Sequence, residues 1–86
     1  IGLDISKANI DVAVRPGKEQ WQTSNDPDGI VDLVARLEQL TPTLILVEAT
    51  GGLENALVVE LGLAQLPVAV VNPRQARDFA KATGRL

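Results

Sequence analysis

Two carboxylates stand inside apolar runs. Asp4 interrupts IGLDIS, and Glu48 closes TLILVE. A carboxylate buried without a partner either carries a large free-energy cost or shifts its pKa until it is neutral. Two carboxylates held close together share a proton or a divalent cation. The chain has no His and no Cys, which removes His- and Cys-based catalysis and most transition-metal sites. A metal here would be a hard cation on oxygen ligands, Mg²⁺ or Mn²⁺, and its natural chemistry is phosphoryl transfer. Each acid also has a plainer reading. Asp4 can sit partly exposed at a strand end beside the SKAN turn, and Glu48 can favour the start of the helix that follows it.

The pair meets only if the right elements hold it. IGLDIS reads as a first strand and NIDVAVR as a second, joined at SKAN. EQWQTSN is a short polar third strand at a sheet edge, so the three form an antiparallel meander. NDPDGIVDLVARLEQLTP is a helix with Asp26 as N-cap and Pro27 in the first turn, a favoured pairing. Ile30, Leu33, Val34, Leu37 and Leu40 give it one apolar face. TLILVEA is a continuous apolar strand, expected to be buried on both faces. TGGLENALVVELGLAQL is a second helix, with Leu53, Ala56, Leu57, Leu61 and Ala64 expected inward. PVAVV is a short buried strand, and PRQARDFAKAT a third helix that Gly84 can end. The order β-β-β-α-β-α-β-α predicts an α/β fold, a mixed five-stranded sheet with helices on both faces. The first strand and TLILVE would then be parallel neighbours, with Asp4 and Glu48 at the carboxyl end of the sheet, where open α/β sheets place their sites.

The bulk numbers set limits. With 86 residues, 45% of them hydrophobic, the chain is one domain or part of one, with a core that is only marginally stable alone. Its start at Ile, inside a strand, leads to the expectation of a fragment of a longer protein. No run is apolar enough to span a membrane, and the absence of Cys is compatible with a reducing compartment. The net charge of −3 argues against a general nucleic-acid-binding surface, but it is unevenly spread. Residues 21–60 carry seven acids and one base, whereas residues 61–86 carry Arg74, Arg77, Lys81 and Arg85 against Asp78 alone.

The remaining candidates are weaker. Arg74, Arg77 and Lys81 fall at helical spacing, either as a solvated face or as phosphate contacts. Lys7, just past the first strand, can reach a phosphate near Asp4 or serve only as a turn lysine. Asp11 is expected on the solvent side of the second strand. ATGG is placed like a phosphate-approaching turn at a helix N-terminus, but a Gly-Gly pair alone more simply starts the helix.

Three blocks carry a resemblance. GLDISKANIDVAV, VEATGGLENALVVEL and PVAVVNPRQARDFAKATGRL together resemble the N-terminal domain of the insertion-sequence-110 family of transposases, relatives of the Piv DNA invertase. The blocks fall in the family's order over nearly the whole chain, while residues 15–45 carry little signature. The resemblance implies a RuvC-like, ribonuclease H-like fold and a DEDD site of four acids binding Mg²⁺. In this sequence Asp4 and Glu48 match the first Asp and the Glu of that set. The other two acids would lie beyond Leu86, as would a C-terminal domain carrying a serine nucleophile. The resemblance further implies a prokaryotic, cytoplasmic, nucleoid-associated enzyme that recombines DNA during transposition, works as a homo-oligomer and in some members is guided by a structured RNA. Leu53 stands where an aromatic is common. Gln65 stands where a helix-ending Gly is expected, which would put a non-Gly residue into the left-handed region.

Two rival readings are distinguishable. A nucleotide-binding lobe of the actin and sugar-kinase type shares the meander-first order, but DISKAN lacks the Gly-Thr-Thr character of its phosphate turn. A non-catalytic interaction module fits a chain that holds only half of a four-acid site. On either the transposase or the module reading, the isolated 86 residues are expected to cleave DNA little or not at all.

Overall fold

The computed structural model describes residues 1–15 and 17–72. The strands are β1 (Gly2–Ile5), β2 (Asn9–Ala13), β3 (Gln20–Ser24), β4 (Ile45–Glu48) and β5 (Val68–Val71), and the helices are α1 (Pro27–Leu40) and α2 (Asn55–Leu63). They form one mixed sheet in the order β3-β2-β1-β4-β5. β1 is antiparallel to β2, and β2 to β3, while β4 runs parallel to both β1 and β5. The order expected from the sequence therefore holds through β5. The expected third helix lies outside the described residues, together with Arg74, Arg77 and Lys81.

One face of the sheet makes the core. Leu3, Ile5, Ile10, Val12, Ile45 and Val47 are buried there against Ile30, Leu33 and Leu37 of α1 and Leu57 and Leu61 of α2. Successive strand residues point to opposite faces, so Asp4, Asp11, Leu46 and Glu48 lie on the other face, away from both helices. Helices on both faces are thus not seen among the described residues, because α1 and α2 share one. β4 follows suit: Ile45 and Val47 are fully buried, but Leu46 between them is only half-buried. β5, expected to be buried, is a sheet edge with Val70 exposed.

Local chemistry sets the helix boundaries. The Asp26 carboxylate accepts the Gly29 N–H at 2.7 Å and the Ser24 hydroxyl at 3.0 Å, with Pro27 in the first turn. Gly29 is required by crowding, because a Cβ there would fall on the Ser24 backbone carbonyl. On the outer side of α1, the Arg36 guanidinium lies 3.8 Å from the centre of the Trp21 ring, a cation–π contact that joins the helix to β3. α2 starts later than its apolar pattern suggests. Gly51 and Gly52 take positive φ values of 70° and 102°, so TGGL is a turn. Leu53 and Ala56, expected inward, are exposed, and Ala64 is half-buried.

Candidate active site

Asp4 and Glu48 occupy corresponding positions on neighbouring strands. The β1–β4 ladder pairs Gly2 with Leu46 and Leu3 with Val47, and Asp4 and Glu48 are the next residue of each strand. Parallel neighbours lie about 4.8 Å apart, and both side chains share the face of Gly2 and Leu46. Both line one shallow cavity, together with Asp11, Ala13, Leu46 and Val71. The position within the topology matters as much. From β1 the chain turns towards β2, and from β4 it crosses through α2 to β5, so the two connections leave in opposite directions. That is a topological switch point, and no connection between the described elements covers the carboxyl edge there.

One premise of the sequence reading is corrected here. Asp4 is exposed, not buried in an apolar strand. The apolar residues around it, Leu3 and Ile5, point the other way into the core. No burial cost has to be offset at Asp4, and the case for a site rests on its alignment with Glu48, which is half-buried.

The carboxylates belong to a polar row across the sheet. Asp4 pairs with Asp11 in the β1–β2 register, and Asp11 pairs with Gln22 in β3. The Gln22 amide donates to the Asp11 carboxylate at 2.9 Å. Asp11 is exposed, as expected, but it shares the face of Asp4. Facing like charges on adjacent strands disfavour the pairing unless a cation or a hydrogen-bond donor stands nearby. Gln22 is such a donor for Asp11. Among the described residues no group of three or more acids is close enough to hold a metal ion.

The edge around the pair is fixed by residues that the sequence reading passed over. In the turn after β1, the Ser6 N–H and hydroxyl both donate to the Asn9 carbonyl, at 2.8 and 3.1 Å. Lys7 is exposed in that turn, two residues past the end of β1, and is not part of the cavity lining. Asn25 ties three connections together. Its backbone N–H donates to the Ala8 carbonyl at 2.9 Å, and its amide donates to the Ser6 carbonyl at 2.9 Å and the Leu53 carbonyl at 3.5 Å. An Asn immediately before a helix cap is the sequence signal for such a junction.

Glu54 is the second residue that was missed. It is only 6% exposed, and its carboxylate accepts the Thr50 N–H at 3.0 Å and the Gly52 N–H at 3.1 Å. Its own backbone N–H, then that of Thr50 and that of Gly52, hold its pKa below the usual glutamate range, against the opposing effect of burial. The Thr50 and Gly52 N–H groups of the TGG turn are therefore taken, and are not offered to a phosphate. Thr50 and Gly52 give theirs to the chain's own carboxylate, and the turn leads into α2 after β4 has ended its pairing with β5 through the Ala49 N–H and the Val71 carbonyl. The signal was available in GGLE, an acid just after a Gly-Gly turn, where N–H groups converge.

With this geometry in hand, the comparison with known families is direct. The family model of the DEDD transposases of insertion-sequence-110 elements, described as transposase, matches residues 1–85. The chain belongs to this transposase family. The search among curated proteins gives no match. Membership makes DNA the partner class and transposition the enzymatic context. As a transposase-family domain, the chain has no described helix long and apolar enough to cross a membrane. The nucleotide-binding lobe of a sugar kinase is not favoured.

Proposed function

We propose that this chain is the first part of a ribonuclease H-like, RuvC-like catalytic domain, and that Asp4 and Glu48 are two of the four acids of a Mg²⁺-dependent DNA strand-transfer site. The observation that carries the reading is the alignment of Asp4 with Glu48, on one face, at the carboxyl ends of adjacent parallel strands. The donor chemistry fits a hard divalent cation, since both ligands are carboxylates and neither His nor Cys is available. Mn²⁺ would fit the same ligands. A bound Mg²⁺ supplies charge neutralisation of the phosphodiester and activation of the attacking oxygen.

The protein's own part is positional. β1 and β4 are held on their core face by buried Leu3 and Val47, so the backbone that carries the two carboxylates is fixed. A metal site needs its ligands held in this way. The remaining two acids of the set are assigned to sequence beyond Leu86, and residues 1–86 alone are expected to cleave DNA little or not at all. Lys7 and the basic residues Arg74, Arg77 and Lys81 are proposed nucleic-acid contacts. A structured guide RNA and homo-oligomerisation belong to the same reading of the full-length protein.

The test is made in the full-length transposase. Asp4→Asn and Glu48→Gln should each abolish Mg²⁺-dependent strand cleavage, with circular dichroism, and the unfolding midpoint without divalent cation, close to the parent's. Cleavage at the normal rate by either variant would remove that residue from the site.

A further inference from the structure

The β1–β4 ladder stops just short of the acids it presents. Its paired residues are Gly2 with Leu46 and Leu3 with Val47. Past that point the two strands follow different neighbours: Asp4 pairs with Asp11 of β2, and Glu48 with Val71 of β5. The chain then leaves the sheet in two separate connections, the turn closed by Ser6 and Asn9 after Asp4 and the TGGL turn after Glu48. Whatever ties those two connections together helps to set the spacing of the carboxylates.

Asn25 stands between them. β1, β3 and β4 run towards the same edge of the sheet, so Ser6, Asn25 and Leu53, which follow these strands, meet there. An asparagine amide carries two N–H donors on one short planar arm. The Asn25 amide nitrogen lies 2.9 Å from the Ser6 carbonyl oxygen, a short bond, and 3.5 Å from that of Leu53, a long one. Its backbone N–H holds the first connection a second time, at the Ala8 carbonyl. Asn25 is half-buried and does not line the cavity of the two carboxylates, so any effect it has on them passes through the connections. We infer that Asn25 is a positioning residue for DNA strand cleavage: it holds the connection after Asp4 and the connection after Glu48 at one spacing, and through them the two carboxylates. This role rests on the reading of Asp4 and Glu48 as a divalent-cation site. A displacement of about 1 Å in a catalytic group can cost a hundredfold in rate, so loosening the edge reaches the chemistry with no contact to DNA or cation lost.

The experiment is made in the full-length transposase, at a temperature where every variant is fully folded. Asn25→Ala removes the amide and leaves the backbone bond to Ala8. Asn25→Asp keeps the shape but sets carboxylate oxygens against the Ser6 and Leu53 carbonyls; should it not fold, Asn25→Ala decides alone. Two quantities are measured: Mn²⁺ affinity, from the electron paramagnetic resonance of the free ion, and kcat and KM for strand cleavage. Asn25→Ala should lower kcat about tenfold and Mn²⁺ affinity roughly threefold to tenfold, with KM for DNA unchanged. Asn25→Asp should do at least as much. Leu37→Val, a loss of core packing farther along α1, should change neither quantity, which separates positioning from a general loss of stability. Asp4→Asn and Glu48→Gln are the reference and should lose both Mn²⁺ binding and cleavage. If they do so while the Asn25 variants match the parent, the positioning role falls and the carboxylate site stands. If they retain both, the carboxylate site falls and the positioning role with it. Equal losses in Leu37→Val would reduce Asn25 to a stabilising contact, and a raised KM at constant kcat would make it a DNA contact; either result overturns the positioning role.

Discussion

Asp4 and Glu48 are the first residues past the paired stretch of two parallel strands, and both point away from the helices. Among the described residues, no connection crosses the sheet edge between them at this switch point. Two carboxylates on one face of that edge suit a shared hard cation. The sheet supplies their alignment, since the pairing of Leu3 with Val47 in the core fixes the register one residue earlier.

A divalent cation should therefore stabilise the chain. Binding to the native state alone adds about 1.4 kcal/mol at ten times the dissociation constant. For a domain of this size, that raises Tm by about 5 °C or more. The measurement is thermal unfolding in Mg²⁺ or Mn²⁺ against a monovalent salt of equal ionic strength. Asp4→Asn or Glu48→Gln should each remove most of the shift. A shift that survives in the double variant would place the cation elsewhere.

The contrast between two glycines tests the packing of α1 on β3. A Cβ at Gly29 meets the Ser24 backbone carbonyl, which cannot yield without moving the strand end, whereas Gly62 has nothing within 4 Å and lies inside α2. Gly29→Ala should cost about 2–4 kcal/mol by urea unfolding, at or above the usual cost of overpacking. Gly62→Ala should stabilise by about 0.5–1 kcal/mol. Equal effects at the two sites would contradict the close approach at Ser24.

Acid should act through Glu54. Backbone N–H groups favour its ionised form in the folded chain and lower its pKa. The unfolded chain, with an ordinary glutamate near pH 4.3, binds the proton first as pH falls. Stability from this group is thus complete above about pH 4.3 and lost as pH drops through the lower folded value. Glu54→Gln should lower stability at pH 7 and flatten the acid limb of the curve. An unchanged acid limb in that variant would assign the acid sensitivity to other carboxylates.

The sequence was most legible where one local rule acted alone. The Asp26–Pro27 start of α1 and the 3–4 spacing of Ile30, Leu33 and Leu37 followed from capping and periodicity, and the structure matches both. The alternation of Leu3 and Ile5 with Asp4 was equally plain, but its meaning was not. An acid between two aliphatics reads as buried only if both faces of the strand are covered, and coverage is a property of the whole sheet. Leu46 and Val70 were misjudged for the same reason, since an apolar run does not say which of its faces a helix reaches. Glu54 and Asn25 have backbone groups of turns as partners: those of Glu54 converge only once Gly51 and Gly52 have taken positive φ, and those of Asn25 only once the turn after β1 lies beside the start of α1. Within the site, the row from Gln22 through Asp11 to Asp4 needed the register, which residue types alone do not fix.

Two residues hold left-handed backbone without being glycine, and they should respond differently to its introduction. Thr41 closes α1 at φ 45° and Gln65 follows α2 at φ 59°. Both sit where helices ordinarily end on Gly. The left-handed conformation costs an ordinary side chain roughly 1–2 kcal/mol, and a β-branched one is the least suited to it. Glycine removes that strain but adds freedom to the unfolded chain, which returns part of the gain. The net gain should be about 0.5 kcal/mol for Gln65→Gly and nearer 1 kcal/mol for Thr41→Gly. The backbone bonds at these positions, Thr41 N–H to the Glu38 carbonyl and Gln65 N–H to the Gly62 carbonyl, involve no side-chain atom and persist in both variants. Urea unfolding of the two variants beside the parent gives the ranking, and a loss of stability in Thr41→Gly would mean that its side chain contributes more to the turn before β4 than its backbone strain removes.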